Sequence, residues 1–180
     1  MEIIIIRHEK VDMIWDKTYS SITYDKACDK YDNSPIISDM QSNYEVDIQK
    51  KIYISELIRT YETAIKLFGE ADFIKTPLIN EVPIKSFKAT KRIYPLWVWN
   101  VLGRLQWLMN NKRQTEGKKE TIIRAKEMIA FLEKNQEDCY LITHGFFIRT
   151  FVKELKKQGY KIKRNRKFGV SNLDKIIAIK

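Results

Sequence analysis

The chain has 180 residues, of which 44% are hydrophobic and 31% charged, with 6 glycines and 4 prolines. This balance predicts one ordered domain over residues 1–180 and excludes a disordered or low-complexity protein. No apolar run approaches the roughly 20 residues that cross a bilayer, and the apolar first residues lack a basic leader and a small-residue cleavage site. We therefore expect a cytoplasmic protein without a membrane partner.

Predicted strands alternate with predicted helices along the chain. Short runs rich in apolar or β-branched residues predict strands at Glu2–Ile6, Lys51–Ile54, Asp72–Lys75, Cys139–Ile142 and Leu173–Ile179. Apolar residues at helical spacing predict helices from Leu57 to Gly69, over Tyr94–Trp107 and Thr121–Leu132, and from Gly145 to about Lys157. Asp12–Tyr44 has little periodicity and is expected to be mostly loop. The alternation predicts an α/β layered domain.

The Tyr94–Trp107 helix contains an aromatic and aliphatic stripe. Trp97, Val101, Leu105 and Leu108 fall on one face of this helix. We expect packing on the core to account for most of Trp97 and Val101.

The net charge of +10 is concentrated at the carboxyl end, because residues 151–180 contribute +8. The densest part is a basic cluster: Lys153, Lys156, Lys157, Lys161, Lys163, Arg164, Arg166 and Lys167. Such a cluster could attract an anionic substrate or a nucleic acid. We favour a solvated surface over a nucleic-acid partner, because aromatic side chains that could stack on bases are not regularly interleaved with these cations.

The two histidines of the chain each follow a predicted core strand. His8 comes after IIIIR, and His144 comes after YLIT. The carboxyl ends of parallel strands meet at one edge of a sheet, where ligands bind. His8 and His144 are therefore candidates for one site.

A third strand end adds Ser55 and, one helical turn later, Arg59. A guanidinium group offers a planar fork of donors that matches phosphate oxygens. Arg7, Arg59 and His144 around a neutral His8 would form a cationic pocket with one imidazole as nucleophile. Phosphoryl transfer needs this combination, because charge on the phosphoryl oxygens must be stabilised while a nucleophile attacks in line.

Four segments, RHE at 7–9, SELIRTYETA at 55–64, LINE at 78–81 and ITHG at 142–145, resemble the motifs of the histidine phosphatase superfamily, also called phosphoglycerate mutase-like. They occur in the family's order and span nearly the whole chain. The resemblance implies a three-layer α/β sandwich, with a mostly parallel sheet and helices on both faces. It also implies phosphoryl transfer through a phosphohistidine, without cofactor or metal.

The resemblance assigns roles by matching position. His8 would be the nucleophile, and Arg7, Arg59 and His144 would bind the phosphoryl group. Glu81 would be the general acid that protonates the leaving group and then activates water. Glu62 and Glu116 are other carboxylates that could approach the pocket, and we favour Glu81 because its distance from the Arg59 helix matches the family's placement.

Two segments depart from the family pattern. Glu9 stands where the family generally has glycine, and a carboxylate there would repel phosphate unless it points away. Residues 82–92 lack the glycine-containing pattern found in many members. We expect residues 82–115 to form a helical cap over the pocket, with Arg104 inside it.

The leading functional prediction is a phosphomonoesterase acting on a small phosphorylated metabolite or phosphopeptide. A mutase that returns the phosphoryl group to its substrate is the first alternative, and the short chain favours hydrolysis over it. A non-catalytic module that binds phosphorylated or nucleic-acid ligands is the second. Cys28 and Cys139 have no metal-type spacing and are expected to be reduced thiols.

Overall fold

A computed structural model describes residues 1–37, 47, 49–164 and 171–180. The strands are β1 Glu2–Arg7, β2 Thr18–Tyr19, β3 Lys51–Ile54, β4 Phe73–Lys75, β5 Tyr94–Pro95, β6 Cys139–Thr143, β7 Lys161–Arg164 and β8 Lys175–Ile179. The helices are α1 Ser21–Asp32, α2 Ile58–Phe68, α3 Leu96–Leu108, α4 Lys118–Asn135 and α5 Gly145–Lys157, with a short 3₁₀ turn at Pro77–Ile79.

Six strands form the central sheet in the order β4-β3-β6-β1-β8-β7. The pairs β4/β3, β3/β6 and β6/β1 are parallel, whereas β8 is antiparallel to both β1 and β7. β2 and β5 form a separate two-stranded ribbon. The predicted mostly parallel sheet is confirmed, and its parallel strands end on the same edge.

Helices cover both faces of the sheet, because β1 is apolar on both sides. Ile3 and Ile5 pack in a core cluster with residues of α4 and α5, including Met128 and Phe151. Ile4 and Ile6 face the opposite way, in a cluster that includes Ala64, Leu67 and Phe68 of α2. The three-layer α/β sandwich is therefore confirmed. A third cluster joins α1 to α3 through Tyr24, Ala27, Cys28 and Trp99.

The expected loop over Asp12–Tyr44 is wrong for its central part, where α1 occupies Ser21–Asp32. Ser20 caps this helix, and the Thr23 side chain completes a capping box. Tyr24, Ala27 and Cys28 provide its buried side. Residues 38–44 of the predicted loop lie outside the described part of the chain.

The expected burial of the α3 stripe is also wrong. Trp97, Val101, Leu105 and Leu108 do share one face, but that face is exposed. The helix instead packs inward through Trp99 and Gly103. A Cβ on Gly103 would lie 2.9 Å from Ile84 Cγ1, so the segment before α3 passes close beneath the helix.

The remaining strand and helix predictions hold to within a few residues, but the strands β2, β5 and β7 were not predicted. Arg166 and Lys167 of the basic cluster lie outside the described residues. Both cysteines are free and buried. Among the described residues, no helix is long and apolar enough to span a membrane.

Candidate active site

The two histidines meet at the carboxyl edge of the parallel strands. β1 and β6 pair in register up to Arg7 and Thr143, so His8 and His144 leave the sheet side by side. The backbone N–H of His8 donates to Thr143 O at 2.9 Å, which continues the ladder by one residue. The two imidazole rings are buried, with centroids 5.0 Å apart.

The geometry around His8 determines which ring nitrogen carries the proton. Nδ1 lies 2.6 Å from the backbone oxygen of Glu9, and a carbonyl can only accept. Nδ1 therefore bears the hydrogen, and Nε2 keeps its lone pair. Burial, together with the charges of Arg59 and Arg7, lowers the pKa of His8 to about 3, although the Glu9 carbonyl opposes this shift. His8 is thus a neutral imidazole near pH 7.

His144 is held between Arg59 and Ser55. Arg59 Nε donates to His144 Nδ1 at 3.2 Å, and His144 Nε2 lies 2.7 Å from Ser55 Oγ. Because arginine is always a donor, the His144 proton resides on Nε2 and points at Ser55. Burial lowers the pKa of His144 well below its usual value, and the positive neighbours lower it further.

Arg59 lies in the first turn of α2 and is buried. Its two terminal nitrogens, Nη1 and Nη2, bind the end of α1. Nη1 donates to the backbone oxygens of Tyr31 and Asp32, at 3.4 and 3.2 Å, and Nη2 lies 3.1 Å from Asp32 Oδ1. The Tyr31 ring lies under the guanidinium group, 5.0 Å from its carbon. Burial raises the pKa of Asp32, and the charge of Arg59 acts against that rise.

Arg7 passes close over the start of α5. A Cβ on Gly145 would lie 3.0 Å from Arg7 Nε and 3.1 Å from Arg7 Cζ, so a larger residue there would require the Arg7 side chain to shift. The charge of Arg7 contributes to the lowered pKa of both His8 and His144. Arg7, His8, Arg59 and His144 are therefore brought together as the sequence predicts.

Glu81 follows the 3₁₀ turn and faces the first turn of α5. Its carboxylate accepts backbone N–H bonds from Val82 at 2.9 Å, Phe147 at 3.0 Å and Phe146 at 3.3 Å. Backbone N–H groups at a helix start are suited to hold an anion. The other two carboxylates have partners elsewhere, because Glu62 accepts from the N–H of Ile36 and Glu116 pairs with Arg124.

A cavity of about 230 Å³ opens beside Glu81 and Asp32. Its walls combine aromatic, aliphatic and polar groups, contributed by Trp15, Cys28, Tyr31, Val82, Pro83, Ile84, Asn100 and Arg104. Arg104 Nη1 donates to the carbonyls of Val82 and Pro83, and its guanidinium carbon lies 3.8 Å from the centre of the Phe146 ring. α3 thus contributes one wall of the cavity through Asn100 and Arg104.

Glu9 turns its side chain toward α2. The buried carboxylate lies 3.4 Å from Lys66 Nζ, and the backbone N–H of Glu9 donates to Thr63 Oγ1 at 2.9 Å. The negative charge therefore meets a cation of α2. The Glu9 carbonyl, in contrast, orients His8.

Sequence reasoning did not identify Asp32 and Tyr31, which hold Arg59. A signal for their helix was available, because Ser20 and Thr23 form a recognisable start and Tyr24, Ala27 and Cys28 have helical spacing. Lys66 was also not identified as the partner of Glu9. Among the described residues, no group of three or more His, Cys, Asp or Glu side chains could hold a metal ion.

Solved structures with the same fold support this architecture. A protein from an open reading frame of Mycobacterium tuberculosis superposes with a TM-score of 0.62 at 14% identity, covering 98% of this chain and 89% of that one. The alpha-ribazole phosphatase from Shigella flexneri gives 0.57 at 16% identity, with 97% and 96% covered. A phosphoserine phosphatase from Entamoeba histolytica in complex with phosphoserine gives 0.54 at 15% identity, with 87% and 80% covered.

Comparison at the level of sequence gives the family. No match was found among curated proteins. The sequence profile of the histidine phosphatase superfamily (branch 1) matches residues 42–177, a range that contains Arg59, Glu81 and His144. The match covers well over half of the chain, and the chain belongs to the histidine phosphatase superfamily.

Proposed function

We propose that the protein is a phosphomonoester hydrolase that forms a phosphohistidine at His8. The observation that carries this proposal is the state of His8: a neutral ring whose Nδ1–H is bound to the Glu9 carbonyl. Its Nε2 lone pair is therefore available beside two guanidinium groups. A nucleophile held unprotonated by neighbouring cations, which also bind phosphoryl oxygens, suits phosphoryl transfer.

In the first step, His8 Nε2 attacks the phosphorus of the ester. The new N–P bond forms as the bond from phosphorus to the ester oxygen breaks. A protonated Glu81 gives its proton to the departing oxygen, so an alcohol leaves and Glu81 becomes a carboxylate. Arg7 and Arg59 stabilise charge on the phosphoryl oxygens. Because these guanidinium groups supply the positive charge, we include metal independence in the proposal.

In the second step, water attacks the phosphohistidine. The Glu81 carboxylate takes a proton from the water as the new O–P bond forms and the N–P bond breaks. Inorganic phosphate leaves, and His8 returns with its electron pair on Nε2. The Glu81 carboxylate is held by three backbone N–H groups, which support its position for both proton transfers.

His144 has two parts in this proposal. It holds Arg59 through Nδ1 and is itself held by Ser55. A bound phosphoryl dianion would draw Arg59 Nε away and favour the other neutral tautomer of His144, in which the ring proton has moved from Nε2 to Nδ1. Ser55 Oγ–H would then donate to Nε2, and His144 Nδ1–H would donate to the phosphoryl group. This assigns phosphate binding to Arg7, Arg59 and His144.

The cavity next to Glu81 is the proposed place of the leaving alcohol. Its volume of about 230 Å³ favours a small metabolite, or the side chain of a phosphopeptide residue. The Entamoeba relative bound to phosphoserine supports a small phosphorylated substrate. We infer that residues 82–115 act as a helical cap, because Asn100 and Arg104 of α3 line this cavity.

Phosphate release from an aryl phosphate tests the proposal. We expect release in the presence of EDTA, and a loss of about a thousandfold or more in His8→Ala. Lys126→Ala, an exposed change on α4, is the control and should retain full activity. Equal phosphate release by His8→Ala would contradict the role of His8 as nucleophile. Abolition of phosphate release by EDTA would contradict metal independence. Transfer to an added alcohol without phosphate release would favour the mutase alternative.

A further inference from the structure

The outer face of α3 is an exposed apolar surface. Four of its side chains, with one residue shortly before the helix and one directly after it, are 46% to 69% exposed: Trp97, Val101, Leu105 and Leu108, then Ile93 and Met109. From Trp97 to Leu108 the stripe is about 17 Å long at the helical rise per residue. A continuous apolar stripe of this kind on a folded protein indicates an interaction surface.

The segment that carries this stripe is entirely free of acidic residues. Residues 82–115 contain seven basic residues and no aspartate or glutamate. Six of the seven flank α3 on its two sides along the chain and are exposed: Lys85, Lys88, Lys91, Arg92, Lys112 and Arg113. The segment therefore combines an exposed apolar helix face with exposed cations before and after it along the chain.

A groove continues the same surface at the carboxyl end of α3. It measures about 450 Å³, and Trp107, Leu108, Ile122 and Phe146 form its apolar lining. Cations also line it: Lys118, Arg149, Lys153 and Lys157. The acid that lines this groove, Glu154, is buried and pairs with Lys157. The apolar centre with a basic rim thus extends beyond α3 itself.

We propose that α3 and its basic flanks dock on an anionic phospholipid bilayer. An amphipathic helix lies in the headgroup region when its apolar face, rich in tryptophan and leucine, is accompanied by lysine and arginine. Each basic residue near an anionic leaflet adds about 1 kcal/mol, roughly fivefold in affinity. This proposal departs from the expectation that the protein has no membrane partner. That expectation rested on the lack of an apolar run long enough to cross a bilayer, and a helix that lies on the bilayer surface needs no such run.

The charges favour a bilayer over a second copy of the chain. A two-fold contact through α3 would bring the same acid-free basic segment of each copy face to face, and like charges at an interface are unfavourable. A nucleic acid would meet the charged flanks but leave Trp97, Val101 and Leu105 without apolar partners. An anionic bilayer satisfies both the apolar centre and the cationic ends.

Docking would also orient the cavity beside Glu81. Asn100 and Arg104 line this cavity from the helical face next to the exposed stripe. The cavity would therefore lie beside the headgroup layer rather than on the far side of the protein. The docking proposal does not depend on turnover, since binding can be measured without a substrate.

Sedimentation with phosphatidylcholine vesicles, with and without phosphatidylserine, tests the docking. We expect binding only with phosphatidylserine, weakening as salt rises, and a blue shift of tryptophan emission that disappears in Trp97→Phe. Val101→Gln with Leu105→Gln should reduce vesicle affinity about tenfold or more. The matched control is Ile123→Gln with Phe131→Gln, two exposed apolar residues of α4, which should bind like the wild type.

A second pair of variants separates this surface from the general positive charge. The double variant Lys88→Glu, Lys91→Glu should weaken vesicle binding about tenfold or more. The control double variant on α4, Lys126→Glu, Lys134→Glu, changes the net charge equally and should have little effect on vesicle binding. Circular dichroism and the unfolding midpoint confirm that each variant is folded. Absence of binding to phosphatidylserine vesicles would overturn the proposal. Equal losses in the α4 controls, or a dimer in solution abolished by the Val101 and Leu105 changes, would overturn it as well.

Discussion

Glu9 contributes to the site through both its backbone and its side chain. The carbonyl accepts the Nδ1–H of His8, which leaves Nε2 available. The side chain is buried against α2, with Lys66 Nζ 3.4 Å away. A carboxylate next to the nucleophile is therefore tolerated, because the Glu9 side chain points toward α2 and its charge is paired with that of Lys66.

Replacing Lys66 by methionine should destabilise the protein through Glu9. The change keeps much of the side-chain volume but leaves a buried carboxylate without its cation, at a cost of about 2 kcal/mol. Urea unfolding measures this loss. Adding Glu9→Gln to Lys66→Met should recover most of the lost stability. If the double variant is as unstable as Lys66→Met, loss of the Glu9–Lys66 ion pair is not the cause of the lower stability.

The end of α1 determines where Arg59 lies. Two backbone carbonyls and the Asp32 side chain hold the guanidinium group from one side, while His144 holds Nε from the other. α1 is thus a positioning element for a phosphate-binding residue located on α2.

Asp32→Asn should impair substrate binding more than chemistry. Loss of the ion pair loosens Arg59, so we expect KM for an aryl phosphate to rise about tenfold with a smaller change in kcat. Asp29→Asn removes an exposed carboxylate on the same helix and serves as the control. Steady-state kinetics measures both variants, and equal effects on KM would argue against a specific role of Asp32.

The elements that could be predicted from sequence are those with strong local signals. β1 and β6 are apolar runs, and His8 and His144 stand directly after them, so their meeting followed from parallel pairing. α1 was not predicted because its start signal and the helical spacing of Tyr24, Ala27 and Cys28 are weak among many polar and charged residues. The α3 stripe shows a further limit, since periodicity identifies an apolar face but not what covers it. The Asp32–Arg59 contact depends on tertiary placement and has no local signal.

For the whole molecule, two buried neutral histidines make stability depend on pH. The pKa of His8 falls from 6.5 in the unfolded chain to about 3 in the folded protein, and that of His144 is also lowered. Below pH 6.5 the unfolded chain therefore binds more protons than the folded protein. The stability that is complete above pH 6.5 is lost progressively as the pH falls toward 3.

We expect the free energy of unfolding to fall on acidification, with His8 contributing roughly 2 kcal/mol of the loss at pH 5. Urea unfolding between pH 7.5 and about pH 4.5 measures the slope. His8→Asn removes one titrating group and should make the dependence shallower. An identical slope in the variant would mean that His8 is not held neutral by the fold.

Trapping the phosphoenzyme would show whether the phosphoryl group passes through His8. Wild type, Glu81→Gln and His8→Ala are mixed with an aryl phosphate, quenched in alkali because phosphohistidine is labile to acid, and mapped by mass spectrometry. We predict phosphate on His8 in the wild type and none in His8→Ala. Glu81→Gln should accumulate more of it, because an aryl oxide is a good leaving group that departs without the general acid, whereas hydrolysis still needs the base. Turnover with phosphate on a different residue, or with no phosphoenzyme in Glu81→Gln, would contradict the account.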